Sequence, residues 1–147
     1  MVTGVIICFP AAGAAQGREL GLGVIGTVSN PALAVANGYA ALRTSGRTRL
    51  SAAIGAGISD QELAWRGELL GHFLLGPEDR RKPNFYFAGG VAVVDGAVRR
   101  GYLVLTLGLE NRPGARSGWA LEAGVGGGAR IALGYRWRWF PGVISSQ

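Results

Sequence analysis

The sequence is short of charge. Only 16% of its 147 residues are Asp, Glu, Lys or Arg, against roughly 25% in an ordinary soluble domain. It has one cysteine, Cys8, so a disulfide scaffold is excluded. It has one histidine, His72, too few for a metal site built on His and Cys ligands. No uninterrupted apolar run could form a membrane helix of about 20 residues. The longest charge-free stretch in the body, Leu20 to Leu42, is broken by Ser29-Asn30-Pro31 and holds four glycines. Disorder is excluded as well, because 48% of the residues are hydrophobic. Glycine is in excess, at 26 residues, but it follows no three-residue period and so does not signal collagen. The composition is apolar enough for a membrane and lacks a membrane helix.

The net charge is +6, carried by Lys82 and by arginines scattered along the whole chain. A nucleic-acid partner would call for a basic stripe or helix, and none is visible. Residues 1–17 are uncharged and resemble the back half of a secretory signal, with an apolar core at Val5 to Phe9 and an A-x-A site at Ala12-Gly13-Ala14. The expected organisation is a signal-peptide remnant over 1–17, a single barrel domain over 18–140 and a tail over 141–147.

From Glu19 onward the hydrophobic period is two, which is the period of β-strands. In Tyr102 to Glu110 every odd position is leucine. Ile131, Leu133, Tyr135, Trp137 and Trp139 share one face of the last segment, and Arg130, Ala132, Gly134, Arg136 and Arg138 share the other. Leu63, Trp65, Leu69 and Phe73 likewise oppose Glu62, Arg66, Glu68 and His72. The segment from about Leu33 to Arg43 alternates poorly, and its facing stays open. Turn signals divide the chain into eight strands. The predicted fold is all-β: an eight-stranded antiparallel up-and-down (meander) barrel that spans a membrane and leaves no open edge.

Two barrels fit the alternation. A soluble, lipocalin-like barrel would hold the Leu, Phe and Trp face inside and bind an apolar ligand. Its surface would be thinly charged. A membrane barrel turns that face outward and leaves small and charged residues in a narrow lumen. The second is preferred, because glycine and alanine then make room for large inward groups. Charges in a closed lumen come paired. The candidate lumen network is therefore Glu62, Glu68, Glu110 and Glu122 against Arg49, Arg66, Arg100, Arg130, Arg136 and Arg138, and it would plug the lumen.

The alternation over residues 19–140, and above all Gly134-Tyr135-Arg136-Trp137-Arg138-Trp139-Phe140, resembles the small eight-stranded outer-membrane barrels of the OmpA/OmpX type. The last strand is similar to the family's assembly signal, a glycine followed by alternating aromatics; here the signal would be Gly134, Trp137, Trp139 and Phe140. The resemblance implies a bacterial outer-membrane location and two partners, the lipid bilayer and the barrel-assembly machinery. The expected function is a structural or interaction role for a monomer, with no nucleic acid and no cofactor.

Other candidate sites are weaker. Gly21-Leu22-Gly23-Val24-Ile25-Gly26 matches the dinucleotide fingerprint, but no acidic residue stands between Glu19 and Asp60 and no helix follows, so it reads as lumen-facing strand. His72 has no serine that sequence alone can place beside it, so a lipid-modifying enzyme is a minor reading and no catalytic residue is assigned. The end bearing the longer connections is basic, with Arg43, Arg47, Arg80, Arg81, Lys82, Arg112 and Arg116 as a rim for lipid headgroups.

Overall fold

The computed structural model describes residues 17–76, 82–96 and 99–139. All of the signal-like leader over 1–17 except Gly17, the tail over 141–147, Phe140 of the assembly-like strand, and Arg80 and Arg81 of the basic rim lie outside them. The fold has eight strands: β1 Gly17–Val28, β2 Leu33–Arg43, β3 Thr48–Ser59, β4 Glu62–Leu74, β5 Asn84–Asp95, β6 Arg100–Glu110, β7 Ser117–Val125 and β8 Ala129–Trp139. Each pairs antiparallel with the next, and β8 returns to β1, so the sheet closes into a barrel in meander order. Closure runs through Arg18↔Trp139, Leu20↔Trp137 and Gly23↔Gly134. Every strand has a neighbour on both sides, so no whole strand stands as an open edge.

The sidedness is inverted relative to a soluble barrel. Leu20, Leu22, Ile54, Leu63, Phe87, Leu103, Leu107 and Leu133 all point outward and are exposed. Glu19, Arg49, Arg66, Glu68, Glu110, Arg130, Arg136 and Arg138 are buried inside. Eight strands enclose an interior just wide enough for side chains, and these charged groups occupy it. Among the described residues the lumen therefore shows no apolar chamber for a lipocalin-like ligand. Trp119, Trp137 and Trp139 are exposed on the outer face toward the end that carries the termini, and Trp65 toward the other end.

Strand β2 explains why its facing was unreadable. Leu33 and Val35 point inward with Tyr39, while Ala34, Ala36 and Ala40 face out. The large apolar residues thus lie on the wrong side for the general pattern. They have a local reason: Leu33 and Val35 pack against Ala64, with Val94 beside them, and fill the lumen at the end away from the termini.

Glycine plays two parts. Tyr39 lies across the lumen face of Gly21, its directly paired residue, and Tyr86 lies across Gly108 in the same way. A Cβ at Gly21 or Gly108 would overlap the tyrosine ring. The lumen can hold two tyrosines because glycine stands opposite each. Other glycines face outward, including Gly26, Gly71 and Gly101. Lumen space therefore accounts for only part of the excess. In the fingerprint-like segment Ile25 points in and Gly26 points out, and the segment is plain strand β1.

The turns differ between the two ends. At the end away from the termini, Asp60 and Gln61 have φ of 51° and 63° and join β3 to β4 in a two-residue connection, as in hairpin turns with both central residues left-handed. The longer connections lie at the end that carries the termini. There the segment between β6 and β7 turns over the barrel mouth, with Pro113 buried.

Candidate functional site

The lumen holds two ion-pair clusters. The first lies at the terminal end and gathers side chains from β1, β2, β3, β6 and β8. Glu19 and Glu110 sit at its centre. Arg49 Nη1 reaches Glu19 Oε2 at 3.2 Å and Glu110 Oε2 at 3.0 Å. Arg136 Nη1 reaches the same two oxygens at 3.3 and 2.9 Å. Arg43 Nε donates to Glu19 Oε1 at 3.0 Å, and Arg138 Nη2 donates to Glu110 Oε2 at 3.4 Å. Four guanidinium groups thus surround two carboxylates. The loop over the mouth supplies further acceptors. Arg43 donates to the Pro113 carbonyl at 3.0 Å, and Arg138 donates to the carbonyls of Arg112 and Ala115 at 3.2 and 3.1 Å.

The second cluster lies deeper and balances its charge. Arg66 Nε donates to Glu68 Oε1 at 2.7 Å, and Arg130 Nη2 donates to Glu68 Oε2 at 2.9 Å. Arg130 Nη1 donates to Glu122 Oε2 at 2.7 Å, and the Tyr86 hydroxyl donates to Glu122 Oε1 at 2.7 Å. Arg66 also donates to the Gly126 carbonyl at 3.2 Å. Beyond this cluster stand Leu33, Val35 and Ala64.

The structure thus brings Arg66, Glu68, Glu110, Glu122, Arg130, Arg136 and Arg138 into the lumen, with Arg49. It does not bring Glu62 or Arg100 there. Both have the inward alternation, but each begins its strand at the end away from the termini and is exposed. Alternation fixes a side chain's face and leaves its depth open. Glu19 belongs to the site and was missed. Its signal was available, since it alternates out of phase with Leu20, Leu22 and Val24. Arg43 also moves, from the basic rim to the lumen, where it is 8% exposed. Arg47, Lys82, Arg112 and Arg116 are exposed at the terminal end. Gly134 lies on the lumen face of β8, and Trp137 and Trp139 lie on its outer face.

His72 is buried, and its directly paired neighbour on β3 is Arg49. Ser51 Oγ lies 2.7 Å from His72 Nε2, and Arg49 Nη2 lies 3.3 Å from His72 Nδ1. So His72 does have a serine beside it, which sequence alone could not place. The arrangement has the wrong polarity for nucleophile activation. A guanidinium only donates, so Nδ1 must accept. The proton of the neutral ring then sits on Nε2 and is donated to Ser51. A general base needs the reverse, a free Nε2 lone pair facing the hydroxyl and an acceptor holding Nδ1–H.

No protein-family model matches the sequence, and no curated protein matches it. Among solved structures, the barrel is similar to the N-terminal β-barrel domain of OprF from Pseudomonas aeruginosa. The TM-score is 0.71, with 11% sequence identity over 84% of this chain and 98% of that one. At that identity the likeness is one of fold, a small closed β-barrel.

Proposed function

We propose that this chain is a small integral protein of a bacterial outer membrane, with a structural or interaction role and a lumen closed by its Glu/Arg network. The observation that carries the reading is the inverted sidedness, with leucines outward and buried arginines and glutamates inward. Outward apolar side chains suit lipid, and a polar interior of eight strands suits a filled lumen. The exposed tryptophans toward each end are placed as aromatic girdles would be. The OprF barrel domain lends support through fold alone.

Closure has two components under this reading. The Glu19–Glu110 cluster and the loop carbonyls close the terminal end. Leu33, Val35 and Ala64 narrow the other end with apolar surface, a lining that opposes wetting. Arg47, Lys82, Arg112 and Arg116 would then meet anionic headgroups, at about 1 kcal/mol per cation. The barrel-assembly machinery is the expected insertion partner, with β8 as the signal-bearing strand.

Carbonate extraction of membranes from expressing cells tests the location. The protein is expected to stay in the pellet and to leave it only with detergent; release by carbonate would overturn the membrane reading. Planar-bilayer recording tests the closed lumen, and steady conductance by the wild-type protein would contradict it.

A further inference from the structure

The outer face of β2 is built from small residues. Ala34, Ala36, Gly38 and Ala40 lie along it. The strands on either side carry larger groups. On β1, Leu20 pairs with Ala40 and Leu22 with Gly38; on β3, Ile54 pairs with Gly38. All three large residues are exposed. The small residues therefore floor a groove, and the large ones wall it. The groove measures about 720 Å³ and opens outward, with Trp137 and Trp139 continuing its lining toward the terminal end. Ligand pockets span roughly 300–1,000 Å³, so there is room for an acyl chain. A Cβ built on Gly38 would meet nothing closer than Leu22 Cδ2 at 3.8 Å, so the space lies directly over the strand.

Arg18 stands at the head of this groove. It lies on the outer face of β1, two residues before Leu20, and its directly paired neighbours are Leu42 and Trp139. It is exposed, and among the described residues its guanidinium has no hydrogen-bond or ion-pair partner. Trp139 beside it marks the level at which indole rings meet lipid headgroups. No acid lies on the outer faces of β1, β2, β3 and β8, since Glu19, the one acid in these strands, is buried in the lumen. A second copy of the barrel seated here would leave Arg18 without a counter-charge, and a two-fold pair would turn Arg18 toward its own copy. A lipid phosphate offers a guanidinium two acceptor oxygens. Apolar surface by itself selects nothing in a bilayer, because lipid tails are as apolar as leucine. Shape retains a chain here, and charge selects its headgroup.

We infer that this groove holds one anionic phospholipid, with an acyl chain over Gly38 and Ala40, between Leu20, Leu22 and Ile54, and with its phosphate on Arg18. A chain lying in the groove touches floor and walls together and gains dispersion contacts that a flat face does not offer. The site rests on the membrane reading proposed above. Carbonate extraction tests that reading by itself; a protein that stays in the pellet and shows no lipid selectivity loses the groove site alone.

The test is native mass spectrometry of the full chain folded in detergent, titrated with palmitoyl-oleoyl phosphatidylglycerol or with phosphatidylcholine of the same chains. The expected result is one saturable phosphatidylglycerol adduct, with phosphatidylcholine bound about fivefold more weakly, the equivalent of about 1 kcal/mol for one cation near anionic lipid. Arg18→Gln should remove that preference, and Arg100→Gln, at the other end of the barrel, should keep it. Gly38→Leu turns its side chain into the groove and should abolish the saturable adduct. Equal binding of the two lipids by the wild-type protein, or an adduct undiminished in Gly38→Leu, overturns the site. A dimer without lipid that Gly38→Leu disperses also overturns it and gives the face to a second copy. Should Gly38→Leu fail to fold, the wild-type preference and its loss in Arg18→Gln decide alone.

Discussion

The two lumen clusters use the same residue types in different proportions. In the terminal-end cluster, Glu19 and Glu110 each lie within 4.0 Å of Arg43, Arg49, Arg136 and Arg138. In the deeper cluster, Glu68 and Glu122 share Arg66 and Arg130, and Tyr86 completes Glu122. Among the described residues the first has four arginines to two carboxylates, so each acid faces four cations. The second is neutral, and every member has one or two partners. A buried ion pair is weak evidence for stability, since desolvation offsets much of the attraction, but breaking one is expensive. How expensive depends on what remains after the loss, and there the clusters differ.

The largest effect should come from Glu110→Gln. It leaves four arginines around Glu19 alone, and a loss of about 3–5 kcal/mol is expected. The readout is the urea midpoint of the folded protein in detergent, and an unchanged midpoint would remove the distinction between the clusters. Arg130→Met comes next, at about 3 kcal/mol, because it leaves Glu68 with Arg66 and Glu122 with only the Tyr86 hydroxyl. Equal destabilisation by Arg130→Met and Arg138→Met would mean that charge proportion is irrelevant. Tyr86→Phe sharpens the contrast. It keeps the ring that lies 5.1 Å from the Arg49 guanidinium and removes only the hydroxyl bond to Glu122, worth about 1.5 kcal/mol. A double-mutant cycle should couple it to Glu122 and leave it additive with Glu110. Arg138→Met should be the mildest, within about 1 kcal/mol. Glu19 and Glu110 each keep three other arginines, and fewer like charges crowd together, which offsets the bonds lost to Glu110 and to the Arg112 and Ala115 carbonyls. A loss as large as that of Glu110→Gln would show that the cluster needs all four cations.

Much of the fold was legible because strand alternation is local. Each residue's face follows from its neighbours two positions away, so Leu103 to Leu109 and Ile131 to Trp139 declared their sides without any tertiary information. Residues at strand ends were less legible. Glu62 and Arg100 carried the inward phase yet stand exposed at the start of β4 and β6. Arg43 looked like rim and is buried against Glu19. Depth along the axis depends on strand tilt and stagger, which belong to the closed sheet as a whole.

The same division separates what each level decided. Sequence alone established eight strands, their order, the apolar outer face of most of them, and the presence of inward acids and arginines, because period and turn chemistry are written in contiguous residues. Only the closed barrel decided which acid meets which arginine. Glu19 and Arg136 are 117 residues apart and meet because β8 pairs with β1. Only the barrel set Ser51 and Arg49 against the two ring nitrogens of His72. Only the barrel turned Leu33 and Val35 inward. Hydrogen-bond register between strands positions side chains to within ångströms, and electrostatic pairing is decided at that scale.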